Sequence, residues 1–194
     1  MPEYDAARVF RKLARNNRLA NVRLHNACLQ LSHDELVAPR TSFFPTIRAT
    51  LNHIYIIDRF YIDALKGGSL GPAAWENEEP CSTMAELRDA QALLDDDLIE
   101  LVDRLDERGL STTVNVHRGA RIQHDRCDDV LSHLFQHQTH HRGQVHAMLA
   151  GTPVKPPQLD EFIVGDDAMA RKIEMDALEW REDDLMFPVR RPAR

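Results

Sequence analysis

The sequence predicts an all-α protein built on a four-helix bundle, with a small β-hairpin before the fourth helix and a further helix near the C-terminus. Four stretches carry apolar residues at helical spacing over about 20 residues each. Capping residues, glycines and prolines separate these stretches, and only one short segment is rich in β-branched residues. A chain of 194 residues is long enough to bury one core. We therefore treat residues 1–194 as a single domain.

The first helical pattern covers residues 5–31, where apolar residues recur on one face. His25 lies within it, and we interpret this histidine as a structural residue. Ser32 and Glu35 then have the spacing of a capping box, which predicts a short helix ended by Pro39.

The second helix is predicted from about residue 44 to residue 66, with Pro45 in its first turn and the Gly67–Gly68 pair after its end. Its polar residues form one narrow strip, so most of its surface should be buried.

Two ionisable residues of this helix, His53 and Asp58, lie outside the polar strip and on different faces. A buried imidazole or carboxylate needs a partner, because burying it unpaired costs several kcal/mol. We assign His53 to a candidate site and expect Asp58 to pair with an arginine, such as Arg142, or with a backbone donor.

The third helix should begin at Thr83, which has capping-box spacing with Glu86, and end at Gly109. We interpret its acidic residues as a solvated face: Asp95, Asp96, Asp97 and Glu100. Residues 111–124 then predict the hairpin, residues 126–150 the fourth helix and residues 168–180 the last helix.

The fourth helix contains five histidines between Ser132 and Gly151. His137 and His141 lie on its apolar arc, about 40° apart on a helical wheel and one turn apart along the axis. His133 and His140 lie at one edge of the arc, whereas His146 lies at the other. Two imidazoles one turn apart can converge on one metal ion.

A third imidazole from a facing helix would complete a site with open positions for water or substrate. Nitrogen ligands alone leave zinc, nickel and ferrous iron as candidates. The pair is not the HExxH motif of metalloproteases, because Gln138 follows His137. The sequence therefore offers a possible metal site without an identifiable general base.

Composition excludes other classes of protein. The net charge of −7 disfavours nonspecific binding to nucleic acid. No apolar run is long enough for a membrane span, and no signal peptide is recognisable. The three cysteines have no disulfide or CxxC pattern, which indicates reduced thiols in a cytoplasmic protein. We interpret the basic C-terminal residues Arg190, Arg191 and Arg194 as a solvated tail.

Several segments together resemble the DinB family of damage-inducible-like proteins, which is related to YfiT-like metal-dependent hydrolases and thiol-dependent S-transferases. They are LARNNRLANVRLHNAC, SFFPTIRATLNH, LNHIYIIDRFYIDAL, HLFQHQTHHRGQVHAMLAG and PPQLDEF, spread from about residue 14 to residue 162. The resemblance implies a four-helix bundle, usually a homodimer, with one divalent metal ion on three histidines. By motif these ligands are His53, His137 and His141, the same residues that the helical wheels select.

The resemblance leaves two function classes open. One is a metal-dependent enzyme that acts on a small molecule, either as a thiol-dependent S-transferase or as a hydrolase. An S-transferase would use a low-molecular-weight thiol as cosubstrate. The other is a non-catalytic module, a metal-stabilised dimer that binds a small ligand or responds to stress. An open metal position above a pocket would favour the enzyme. Four side chains are candidates for contact with the ligands or the substrate: Gln144, Arg142, His133 and His140.

Overall fold

A computed structural model describes residues 5–191 and has the predicted four-helix bundle. Its long helices are α1 (Arg8–Cys28), α3 (Ile47–Leu65), α4 (Met84–Arg104) and α6 (Cys127–Leu149). Helix α1 packs against α4 and α6, and α3 packs against the same two helices. The side chains that α3 and α6 turn towards each other can therefore meet.

Shorter elements connect and extend the bundle. They are α2 (His33–Val37), α5 (Glu107–Leu110), β1 (Thr113–His117), β2 (Ile122–Arg126), α7 (Lys172–Ala177) and α8 (Glu182–Met186). Strands β1 and β2 pair antiparallel and form the predicted hairpin directly before α6. Two 3₁₀ turns, Gly71–Trp75 and Gly165–Asp167, lie in the connections.

Helix α3 begins three residues later than the prediction of residue 44. Thr46 has extended backbone geometry, and its Oγ1 accepts a hydrogen bond from the backbone N–H of Ala49 at 3.0 Å. Thr46 is therefore the N-cap, and Pro45 precedes the helix. This leaves Phe44 in the connecting loop, where its ring reaches the candidate site.

Helix α4 has the predicted capping box of Thr83 and Glu86, but it ends at Arg104. The prediction that it continues to Gly109 is wrong. The side chain of Asp106 accepts from the backbone N–H of Gly109 and caps the separate helix α5. Gly109 thus lies inside a new helix.

The predicted last helix, residues 168–180, is shorter in the structure: only α7 (Lys172–Ala177) lies in this range, and α8 follows it. Glu179 between them has a positive φ of 54°, and the backbone N–H of Arg181 donates to Asp184 at the start of α8. Beyond α8 the basic residues are paired: Arg190 with Asp106, and Arg191 with Asp103. Both arginine side chains are more than half exposed, as predicted for a solvated tail, and Arg194 lies outside the described residues.

The core runs along the bundle axis in two main clusters. One is centred on Phe60, Leu98, Leu131 and Leu134, and the other on Leu24, Leu51 and Val145. A third, smaller cluster joins Leu19 to Phe162 and Leu185 of the C-terminal segment. Within residues 5–191, no helix combines the length and the apolar character needed to cross a membrane.

Candidate metal centre

Three histidines from α3 and α6 form a compact group. His53 comes from α3, and His137 and His141 come from successive turns of α6. One ring nitrogen of each lies within 4.8 Å of the corresponding nitrogens of the other two. Nε2 of His53 is 3.0 Å from Nε2 of His137. The sequence thus identified three residues that the fold brings together.

The environment keeps these imidazoles neutral. Burial, with smaller effects of the neighbouring His141 and His53, lowers the pKa of His137 to about 3. Burial, with a smaller effect of His141, lowers the pKa of His53 to about 4. The pKa of His141 is also lowered by burial. A metal ion binds the neutral form of imidazole, so all three side chains are in the ligating state at neutral pH.

The group fits a divalent ion. Two nitrogens that each lie about 2.1 Å from one ion, at roughly a right angle, are about 3 Å apart. The observed 3.0 Å between His53 and His137 matches this separation. Lone pairs on two nitrogens this close repel each other unless a proton or a cation lies between them.

Gln144 fixes the orientation of one candidate ligand. Its Oε1 lies 2.8 Å from Nδ1 of His141. Because an amide oxygen only accepts, Nδ1 carries the proton and Nε2 keeps its lone pair for a metal. The amide Nε2 of Gln144 in turn donates to Nε2 of His140 at 3.1 Å. Gln144 and His140 are therefore neighbours of the group, as the sequence predicted.

The other two predicted neighbours lie further from the ligand atoms. The ring of His133 is 6.3 Å from that of His137, centroid to centroid, and packs edge-on against Tyr61 at 5.1 Å. Arg142 points to a different part of the core, where its guanidinium donates to Oδ1 of Asn17 and of Asn21. The expected pairing of Arg142 with Asp58 is not what the structure shows.

Asp58 belongs to a buried polar network beneath the histidines. Its Oδ2 accepts from Gln91 and from Gln138, both at 2.7 Å, while its Oδ1 has no partner among the described residues. Burial and the nearby Asp95 raise the pKa of Asp58 to about 7. Gln138, next to His137 in sequence, therefore links the helix that carries the ligand pair to this network.

The prediction that Asp95 lies on a solvated face is wrong. Asp95 is buried and accepts hydrogen bonds from Asn17, Asn21 and Gln91. Sequence analysis missed this network because the donors to its two carboxylates are uncharged amides on α1, α4 and α6. The one available signal is that Asn17 and Asn21 are one turn apart on the face that packs against α4.

Phe44 forms a wall of the site that the sequence did not identify. Its ring lies 4.2 Å from the ring of His53 and 5.7 Å from that of His141, centroid to centroid. A cavity of about 280 Å³ opens beside it and is lined by His53, Phe44 and Trp75 among others. The histidine group therefore adjoins a space that can hold a small molecule.

The fold and the site define a class: a four-helix bundle with a three-histidine group on two facing helices. The sequence matches the model of the DinB family over residues 4–175, and the chain belongs to that family.

Individual relatives agree with this assignment. The chain is 27% identical to protein DinB of Bacillus subtilis (strain 168) over 148 residues, which cover 71% of this chain and 83% of that protein. It is also similar in fold to a DinB-like protein from Bacillus cereus ATCC 10987, with a TM-score of 0.56 at 15% identity, covering 72% of this chain and 89% of the other.

Proposed function

We propose that the chain is a metal-dependent enzyme that holds one divalent ion on His53, His137 and His141. The observation that carries the proposal is the set of three neutral imidazoles beside a cavity. Among residues 5–191 no fourth histidine, cysteine or carboxylate joins the group. Three protein ligands with an accessible side are typical of catalytic sites, whereas structural sites are closed by a fourth ligand.

A divalent ion at this position would lower the pKa of a bound water or thiol and so supply a nucleophile at neutral pH. The protein supports this chemistry with side chains that the structure describes. Gln144 holds His141 in one tautomer, and Phe44 packs against the ring of His53. Thiol-dependent S-transfer and hydrolysis both use such a nucleophile, and zinc, nickel and ferrous iron all accept imidazole ligands.

Elemental analysis of the purified protein tests the metal site. We expect about one divalent ion per chain, as three-histidine sites hold, and its loss in His137→Ala. His133→Ala is the matched control, because His133 lies one turn earlier on α6 and contacts Tyr61. Full metal occupancy in His137→Ala would overturn the assignment.

A thiol screen tests the reaction. Wild type and His137→Ala are compared for consumption of bacillithiol, mycothiol and glutathione with an electrophile such as monochlorobimane, with and without added metal. Metal-dependent consumption by wild type alone is expected for an S-transferase. Equal rates for both proteins would exclude this reaction and leave hydrolysis, which the same pair tests with activated esters.

A further inference from the structure

The cavity beside His53 has a defined chemical character. It has a volume of about 280 Å³ and lies between α3, the loop that carries Phe44 and the segment from Trp75 to Glu79. Ala49, Ile56 and Ile57 form the apolar side of its wall. A pocket of this size holds a substituent of a small molecule and not a large ligand.

Two aromatic rings are fixed in its wall. Trp75 packs against Phe60 with 4.9 Å between ring centroids, and Phe44 is held on the ring of His53. Both rings line the cavity and are held by these contacts. Aromatic faces attract cations, and a tryptophan does so most strongly.

The charged groups in the wall are acidic. Glu78 and Glu79 line the cavity, and no lysine or arginine is among its lining residues. The carboxylate of Glu79 is neutralised by Arg48, whose Nε lies 2.7 Å from Oε2. Within residues 5–191, no hydrogen bond or ion pair is formed by the Glu78 side chain, so its charge is free to act on a ligand.

We propose that this pocket binds an organic cation: an apolar group, alkyl or aryl, that carries an ammonium. The aromatic rings and the Glu78 carboxylate both favour a positive charge, and the alkyl side chains bury the apolar part. A carboxylate or phosphate would meet Glu78 without a basic partner. The pocket thus selects against anionic ligands.

The position of His53 gives the ligand a direction. His53 lines the cavity from α3, and Glu78 lines it from the segment that follows the 3₁₀ turn Gly71–Trp75. A bound divalent ion would repel an ammonium, so the cationic end points to Glu78. The reactive end of a substrate then points to the histidines; this orientation rests on the proposed function, whereas the preference for a cation does not.

Tryptophan fluorescence tests the pocket without any activity. The chain has two tryptophans, so Trp180→Phe leaves Trp75 in the cavity wall as the only reporter. This protein is titrated with benzyltrimethylammonium, benzyl alcohol and benzoate, which share a phenyl ring and differ in charge. We expect saturable binding of the cation, about three- to ten-fold weaker binding of the alcohol and no binding of benzoate.

Charge variants test whether the Glu78 carboxylate causes the preference for a cation. Glu78→Gln should weaken binding of the cation about three- to ten-fold and leave that of benzyl alcohol unchanged. Glu76→Gln is the matched control, because Glu76 is an exposed neighbour outside the cavity wall. Calorimetric titration of the chain with both tryptophans repeats the measurement if Trp180→Phe does not fold. Benzoate binding as tightly as the cation, or equal effects of the two variants, would overturn the proposal.

The same titrations on His137→Ala separate this proposal from the proposed function. Cation binding that persists in a variant without metal or thiol activity supports the pocket independently. If the protein binds metal and consumes thiol but binds none of the three probes, the proposal of a cation pocket is wrong and the proposed function stands.

Discussion

Gln144 is the neighbour of the histidine group that fixes the orientation of one candidate ligand, His141. Its amide oxygen holds the proton on Nδ1 of His141, and its NH₂ group reaches His140. We expect Gln144→Ala to weaken metal binding about 10- to 100-fold, because the ring of His141 loses its fixed tautomer and orientation. Competition with a chromophoric chelator measures the affinity.

The exposed residue Gln136 on the same helix provides the control for this prediction. Gln136→Ala removes an amide of equal size without touching the ligands and should retain wild-type affinity. A Gln144→Ala protein with unchanged affinity would show that His141 is oriented by its packing alone.

Asp58 should make stability depend on pH. Its pKa is about 7 in the fold, against an ordinary value of 3.8, because burial and Asp95 disfavour the charged form. The folded state therefore binds more protons than the unfolded state between these values, and the stabilisation present below pH 4 is lost as the pH rises to 7. Asp58→Asn removes this loss.

Urea unfolding of the metal-free proteins at pH 5 and pH 8 checks this expectation. Asp58→Asn should gain stability relative to wild type on going from pH 5 to pH 8, by about 1–3 kcal/mol, because only wild type must ionise a buried carboxyl as the pH rises. Taking the difference between the two proteins cancels the opposite trend from buried histidines such as His25, whose lowered pKa of about 3 costs stability as the pH falls. A constant difference across pH would contradict an elevated pKa for Asp58.

Residue-level prediction from sequence succeeded where a polar group lies on an apolar face. Asp58 is buried and His53 is half-buried, and both were identified in this way. It failed for Asp95, because a run of acidic residues on one helix looks solvated unless the amides of the facing helix are known. Partners that come from another helix, such as Asn17 and Asn21, are set by packing and not by local spacing.

The helices begin at capping residues, and these were the most readable local signals. Both capping boxes, Ser32 with Glu35 and Thr83 with Glu86, are present in the fold. One boundary that sequence analysis missed occurs where a second cap, Asp106, lies inside a stretch predicted as one helix. Periodicity alone does not reveal such breaks, because the apolar stripe continues across them.

Thr83 should matter more than Ser32, although both are caps. Thr83→Ala should cost about 0.5–2 kcal/mol of unfolding free energy, because it leaves a backbone N–H unpaired at the start of a 21-residue bundle helix. Ser32→Ala affects a five-residue peripheral helix and should cost less. Chemical denaturation compares the two variants, with metal content expected to stay unchanged in both. A larger loss for Ser32→Ala would contradict the expectation that the cap of the longer bundle helix contributes more.

The whole molecule extends beyond the segment shared with the family. The family match ends at residue 175, yet α8 follows it and buries Leu185 completely against the cluster that contains Leu19. Arg8 also donates to the backbone carbonyl of Met186 at 2.8 Å. The C-terminal segment is thus an integral part of this fold.

Truncation after Ala177 should separate stability from metal binding. Loss of Leu185 burial alone removes about 1.5–3 kcal/mol, so the unfolding midpoint should fall. The three histidines lie on α3 and α6, away from the contacts of α8 with α1, and metal content should persist. Loss of the metal from a still-helical truncated protein would show that the C-terminal segment supports the site.

At the molecular scale, the bundle and the hairpin were predictable because four periodic stretches leave few other ways to bury their apolar faces. The cavity was not, because its walls combine residues from α3, a loop and a 3₁₀ turn that share no sequence pattern. The homodimer that the family resemblance implies stays a prediction.

All three cysteines of the chain are buried, and burial raises the pKa of Cys28 to about 12 and that of Cys127 to about 11. A folded molecule therefore offers almost no thiolate to a disulfide reagent, whereas an opened one offers three. The rate at which a reagent such as DTNB labels these residues therefore measures the rate at which the bundle opens spontaneously. This labelling rate reports the kinetic stability of the fold. The three cysteines lie in different parts of the core, so each reports on its own region.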